Sequence, residues 1–188
     1  MQNTAVLLVL LLVVVVVAAL AIWALTRRRR RSEQLRERFG PEYDHAVQEY
    51  GARDRAEEEL EARAERVEQL HIRPLPPEQS TRYAQAWRAV QSQFVDEPEA
   101  AIAEADRLVS EAMQARGYPM GDFEQRAADV SVDHPNVVEN YRAAHAIASR
   151  TERGEGSTED MRQAMVHYRS LFEELIDAHE PVGTEVQR

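Results

Sequence analysis

Residues 121 to 145 read GDFEQRAADVSVDHPNVVENYRAAH, a short, proline-interrupted reach holding acids, arginines, two histidines and a serine. Side chains of these types carry acid–base chemistry when a fold brings them to one concave pocket. Asp129, Asp133, His134, Tyr141 and His145 are the groups that would form such a patch for a small ligand or substrate. Ser131, Asp133 and His134 share only residue types with a hydrolase triad, which is defined by converging geometry, and no G-x-S-x-G turn is present. One metal ion cannot use both His134 and His145, because eleven helical residues at ~1.5 Å each separate them by ~16 Å while zinc takes each nitrogen at ~2 Å. His145 with His167 remains open as a pair on neighbouring helices, although no H-x-x-x-H or E-x-x-H spacing supplies a further ligand. The chain has no Cys, so thiolate catalysis, disulfides and cysteine-ligated metals are excluded. No cofactor and no metal are expected.

The same residues have a plainer use as a joint between helices. Asp122 caps one helix, with Gln125 in the reciprocal position; Arg126 pairs with Asp122 or Asp129; Asp133 caps a next helix that begins with His134 and Pro135. Which use holds depends on the elements around the stretch.

Those elements begin with a membrane signal. Ala5 to Leu25 is AVLLVLLLVVVVVAALAIWAL, 21 residues without a charge, enough as a helix to span a ~30 Å hydrocarbon layer. Trp23 falls where an indole sits at headgroup level, and Arg27, Arg28, Arg29, Arg30 and Arg31 follow, with only MQNT before the apolar run. This bias predicts a single-pass inner-membrane protein with its amino terminus outside and the rest cytoplasmic, the bilayer being its first partner. The alternative is a secretory signal cleaved at the small-x-small site Ala19-Leu20-Ala21, followed by export; against it, the positive charge lies on the wrong side and the apolar run is long.

Ser32 to Phe39 continues helical, Gly40-Pro41 interrupts, and Glu42 to Leu70 reads as a second helix with Gly51 as its one weak point. Tyr43, Val47 and Tyr50 form one brief stripe, and Leu60, Val67 and Leu70 another, without a sustained coiled-coil heptad. The expectation is a solvated, charged stalk reaching ~44 Å from the bilayer, with self-association through the stripes as the alternative. His71 to Pro77, HIRPLPP, breaks the pattern and marks a boundary.

Beyond it the periodicity is helical throughout. Tyr83, Trp87, Val90 and Phe94 form one face; Ala101, Ile102, Ala105, Leu108, Val109, Ala112 and Met113 a second; Val138, Tyr141, Ala144 and Ala148 a third. Met161 to Ile176 carries the widest stripe, started by Ser157 as a cap and ended by His179-Glu180-Pro181. Asp96 is placed to cap the second of these helices. No segment alternates with period two. The fold class is therefore all-α, organised as a membrane anchor (1–31), a charged helical stalk and Pro-rich linker (32–76), a bundle of four to five short helices (77–180) and a flexible tail (181–188).

All 23 basic residues are Arg, and setting aside the run of five leaves 18 against 33 Asp and Glu. A surface of that sign repels phosphate backbones, so no nucleic-acid partner is expected. The string RGYPMGDFEQRAADVSVDHPNVVENYRAAH, with FGPEYDHAVQEYG and WRAVQSQFVDEP upstream, resembles a family of uncharacterised bacterial single-pass membrane proteins of actinobacterial type. The resemblance covers most of the chain after Arg31 and implies membrane attachment, but no activity. The functional expectation is a membrane-tethered cytoplasmic module that binds a protein partner or acts as a scaffold. The alternatives are a ligand binder or enzyme using residues 129–145, and a structural membrane oligomer.

Overall fold

The computed structural model describes residues 2–177, apart from the side chains of residues 2–10, 12–14, 21 and 24. Among the described residues the chain is all-helical, with helices α1 (Gln2–Phe39), α2 (Pro41–Tyr50), α3 (Arg53–Glu68), α4 (Pro77–Gln93), α5 (Pro98–Arg116), α6 (Phe123–Asp133), α7 (Val138–Glu152) and α8 (Thr158–Asp177). It divides into two units, residues 1–38 and 39–188. The expected tail, 181–188, and the helix stop at His179-Glu180-Pro181 lie outside the described residues.

The first unit belongs to α1. Between Leu11 and Leu25 its described large apolar side chains, Leu11, Val15, Val16, Val17, Leu20, Ile22, Trp23 and Leu25, are exposed, whereas Leu35 further along is buried. Much of the expected membrane span falls on side chains outside the described set, and among the described residues no helix is long and apolar enough to cross a membrane.

In the second unit, α8 packs against α4, α5 and α7, and α5 against α4 and α7. Their apolar faces meet in one core that includes Trp87, Ile102, Val109, Met113, Tyr141, Tyr168, Leu171, Phe172 and Leu175. Trp87 stacks on Phe172 with ring centroids 4.7 Å apart and planes 20° from parallel. These are the faces that the periodicity predicts, because a helix buries whatever recurs at three and four.

Caps follow their chemistry less uniformly. Asp122 caps α6, accepting from the Gln125 amide at 2.8 Å. Ser157 and Asp160 satisfy each other's amides at the start of α8, at 3.0 and 3.1 Å. Asp96 does not cap α5: Glu97 holds that place and Pro98 opens the helix, since proline has no N–H to satisfy there. Nor does Asp133 cap the helix after it. α6 runs through Asp133, His134 ends it, and Pro135 stands in the turn before α7.

The expected continuous stalk is corrected. Gly51 takes a left-handed φ of 67° and closes α2, Ala52 is extended, and α3 folds back on α2. α3 then packs on α6, so the residues read as a spacer form a second layer on the bundle. Phe39, Tyr43, Ala46, Ala56, Leu60, Ala64 and Val67 are buried there, outside the main core. The boundary expected at Pro77 falls inside the second unit. A glycine that costs an isolated helix only ~1 kcal/mol becomes a turn once packing rewards the reversal.

The Pro-rich linker between α3 and α4 is tied to the end of α5. Arg73 donates its amide to the Arg116 carbonyl at 2.9 Å. Gly117, with φ 105°, closes α5 where any Cβ would stand 2.7 Å from the His71 carbonyl oxygen.

Candidate functional site

The residues of the 121–145 stretch enter three separate networks. Asp129, almost fully buried on α6, accepts from Arg66 of α3 at 2.9 Å and from Gln125 at 2.8 Å, both through Oδ1. It therefore serves to dock α3. Arg126, expected to pair on its own helix face, instead reaches the Gly121 carbonyl at 2.8 Å and the Tyr141 hydroxyl at 3.3 Å.

A second network sits where α6 ends. Asp133 accepts from the Tyr118 hydroxyl at 2.7 Å, and His134 lies between Arg116 of α5 and Glu174 of α8 at 3.0 and 2.8 Å. Burial first, then the Asp133 charge and its hydrogen bond, raise the Tyr118 phenol far above its usual range, so it remains a neutral donor.

The third network brings Tyr141 and His145 of α7 together with Asp106 of α5 and Tyr168 of α8. Tyr168 donates to Asp106 at 2.8 Å, and His145 Nδ1 stands 3.7 Å from the same carboxylate oxygen, an ion-pair distance too long for a hydrogen bond. Phe123 lies flat on the His145 ring, centroids 3.7 Å apart, and tilted on Tyr141 at 4.9 Å. Burial alone would raise the Asp106 pKa, but the His145 side chain, the Tyr168 hydroxyl and the Arg126 charge outweigh it and hold the carboxyl below its usual range. Burial and the adjacent Asp106 charge push Tyr168 upward; burial also raises Tyr141, against the opposing pull of Arg126. An ionised carboxylate with neutral phenols is an arrangement for holding helices in register. Ser131, buried, donates its hydroxyl back to the Ala128 carbonyl at 2.7 Å and is no nucleophile in this setting.

The hollows on this unit include one of about 240 Å³ bordered by Glu99, Ile102, Ala148, Thr151 and Glu152, and another of about 580 Å³ bordered by His71, Arg73, Gln114 and Gly117. None of the five patch residues lines either. His167, the candidate metal partner of His145, bonds Asn140 at 3.0 Å, and among the described residues no three His, Asp or Glu side chains are grouped to hold a metal ion.

Sequence reasoning misses two deeply buried acids of this unit, Glu42 and Glu57. Glu42 on α2 receives Arg63 of α3 at 2.9 Å and both terminal nitrogens of Arg142 on α7 at 2.7 and 2.8 Å. Glu57, also buried, accepts from the Tyr43 hydroxyl at 2.7 Å. In a charge-rich stretch nothing local marks which acids turn inward. At the other end of the chain, the Arg27 guanidinium lies 5.3 Å over the Trp23 ring, and Thr26 bonds the Trp23 carbonyl at 2.9 Å. Arg27 to Arg30 are exposed and Arg31 is half-buried.

Among the described residues the architecture is thus all-helical, and the ionisable residues it buries join one element to another. No family model, curated protein or solved structure matches the chain.

Proposed function

We propose that this protein is a membrane-tethered helical module that binds another protein, with residues 39–177 on the cytoplasmic side. The observation that carries the tether is the exposure of the large apolar side chains described between Leu11 and Leu25 on α1: seven of these eight are 55–62 % exposed and Val16 is 47 % exposed. A helix with apolar residues on every side has its lowest free energy in lipid, at roughly 25 cal/mol for each Å² removed from water. The uncharged run from Ala5 to Leu25 and the arginines after it support the same insertion and its direction. The aromatic–cation contact of Trp23 with Arg27 suits the headgroup layer.

A binding role for the second unit is supported by its internal use of chemistry. Asp129, Asp133, His134, Tyr141 and His145 serve three different helix contacts, and the excess of acids over arginines leaves an anionic surface. That surface favours a partner with a basic face.

The test is in cells. Membrane fractions should retain the full-length chain through alkaline carbonate, and protease added to spheroplasts should spare the carboxyl-terminal unit. Photo-crosslinkers placed on the outer faces of α4 and α8 should yield one reproducible heterologous product. A mature chain outside the cell lacking its first twenty-odd residues would overturn the placement. Homodimer products alone would replace partner binding with self-assembly.

A further inference from the structure

We propose that His134 is the proton-operated element of a joint that clamps the linker between α3 and α4 to the end of α5. Its ring is buried at the carboxyl end of α6, with Nε2 3.0 Å from Arg116 Nη1 and Nδ1 2.8 Å from Glu174 Oε2. A guanidinium has no acceptor and stays protonated, so Nε2 must present its lone pair. The neutral ring therefore carries its proton on Nδ1 and donates it to Glu174.

Arg116 is what this ring holds in place. It is 4 % exposed, its carbonyl accepts from the Arg73 amide at 2.9 Å, and its Nε donates to the Arg73 carbonyl at 3.4 Å. Both strands of that clasp depend on where Arg116 lies. Adding a proton to His134 puts an N–H on Nε2 facing the Arg116 N–H, donor against donor and cation against cation. The imidazolium keeps Glu174, and Arg116 turns away. The face of Tyr118, already 5.9 Å from the guanidinium, receives it. The side-chain half of the Arg73 clasp is lost, the backbone half, from the Arg73 amide to the Arg116 carbonyl, opens more often without it, and the link between the α2–α3 layer and the bundle loosens.

The charges facing the ring set the direction of the response. Burial is the largest influence and opposes the proton, and Arg116 of α5 opposes it too. Glu174 of α8, through its hydrogen bond and its charge, and Asp133 of α6 favour the proton. Together they leave His134 below an ordinary histidine. Asp129 of α6 is engaged by Arg66 of α3, and Arg73 contributes its backbone from the linker. A histidine depressed in the fold adds stability that is complete above the unfolded value of ~6.5 and is lost as pH falls through the lower folded value. The joint is closed at neutral pH and opens in acid.

The experiment uses the full chain in detergent micelles with nitrogen-labelled histidine. At pH 8 the His134 ring should show the Nδ1–H tautomer, the less common form in water. Between pH 8 and pH 5 the exchange protection of the Arg73 amide, corrected for intrinsic rate, should fall roughly tenfold. His134→Gln keeps an acceptor for Arg116 and a donor for Glu174 but cannot titrate, so its Arg73 protection should be level over that range. An Nε2–H tautomer at pH 8, or equal pH dependence in His134→Gln and wild type, would overturn the proposal. Should the variant not fold, the wild type decides: the midpoint for Arg73 protection must coincide with the titration of the His134 ring, and a separate midpoint refutes the coupling.

Discussion

Glu42 and Arg142 stand 100 positions apart in the chain and share two charge-assisted hydrogen bonds, at 2.7 and 2.8 Å, with the carboxylate only 1 % exposed. Arg63 donates to the same carboxylate, at the Oε1 that it shares with Arg142. One acid thus joins α2, α3 and α7, and it is the clearest reason the charged layer stays on the bundle.

Removing that acid should be costly. Glu42→Gln takes the shared buried counter-charge from Arg63, which is buried, and Arg142, which is half-buried, leaving them more exposed partners such as Glu59 and Glu139, and the expected loss is at most about 3–5 kcal/mol in urea unfolding. Glu159→Gln, which breaks an exposed, solvent-screened pair with Arg162, should leave the unfolding midpoint nearly unchanged. Replacing Glu42, Arg63 and Arg142 together by apolar residues of similar volume should recover most of the loss. Equal effects for Glu42→Gln and Glu159→Gln would remove the carboxylate from its structural role.

Gly117 should tolerate no side chain. Its φ of 105° disfavours any L residue, and a Cβ would meet the His71 carbonyl oxygen at 2.7 Å. Gly117→Ala is expected to destabilise by about 1–3 kcal/mol and to lower the melting temperature accordingly. Gly154→Ala, at φ 74° with open space around it, carries only the backbone cost of about 1–2 kcal/mol. The gap between the two measures the close approach of the linker.

Acid should act through Asp106 as well. Its carboxyl is held below the usual range, so its contribution is complete above the unfolded value of ~3.9 and disappears as pH drops through the lower folded value. Asp106→Asn should flatten that part of the stability profile, measured by denaturant midpoints from pH 2 to 5. An unchanged slope would mean that the carboxylate has no net favourable partner.

The two tryptophans separate the two units spectroscopically. Trp87 is buried against Phe172, and Trp23 is 59 % exposed on α1. In a Trp87→Phe chain, Trp23 emission should shift to the blue on reconstitution into vesicles and be quenched by lipids brominated near the headgroup. Emission that stays at the water-exposed wavelength would argue against the tether.

The helical faces of the bundle were legible because a single period governs them. Ala101, Ile102, Ala105, Leu108, Val109, Ala112 and Met113 recur at threes and fours, and all seven are buried. Asp122 and Ser157 were legible as caps because a cap acts within three residues. The patch at 129–145 could be named but not assembled: Asp129 faces Arg66, and His134 faces Arg116 and Glu174, partners that no local spacing indicates.

Composition and periodicity alone determined that this chain is helical, that it lacks thiol chemistry and that it opens with an uncharged apolar run closed by arginines. Tertiary structure decided that the charged stretch after Gly40 doubles back on the bundle, and which of its many acids and arginines are buried. The physical reason is range: helix formation and capping are settled within about one turn, whereas burying a charge requires a counter-charge that only the folded chain brings near.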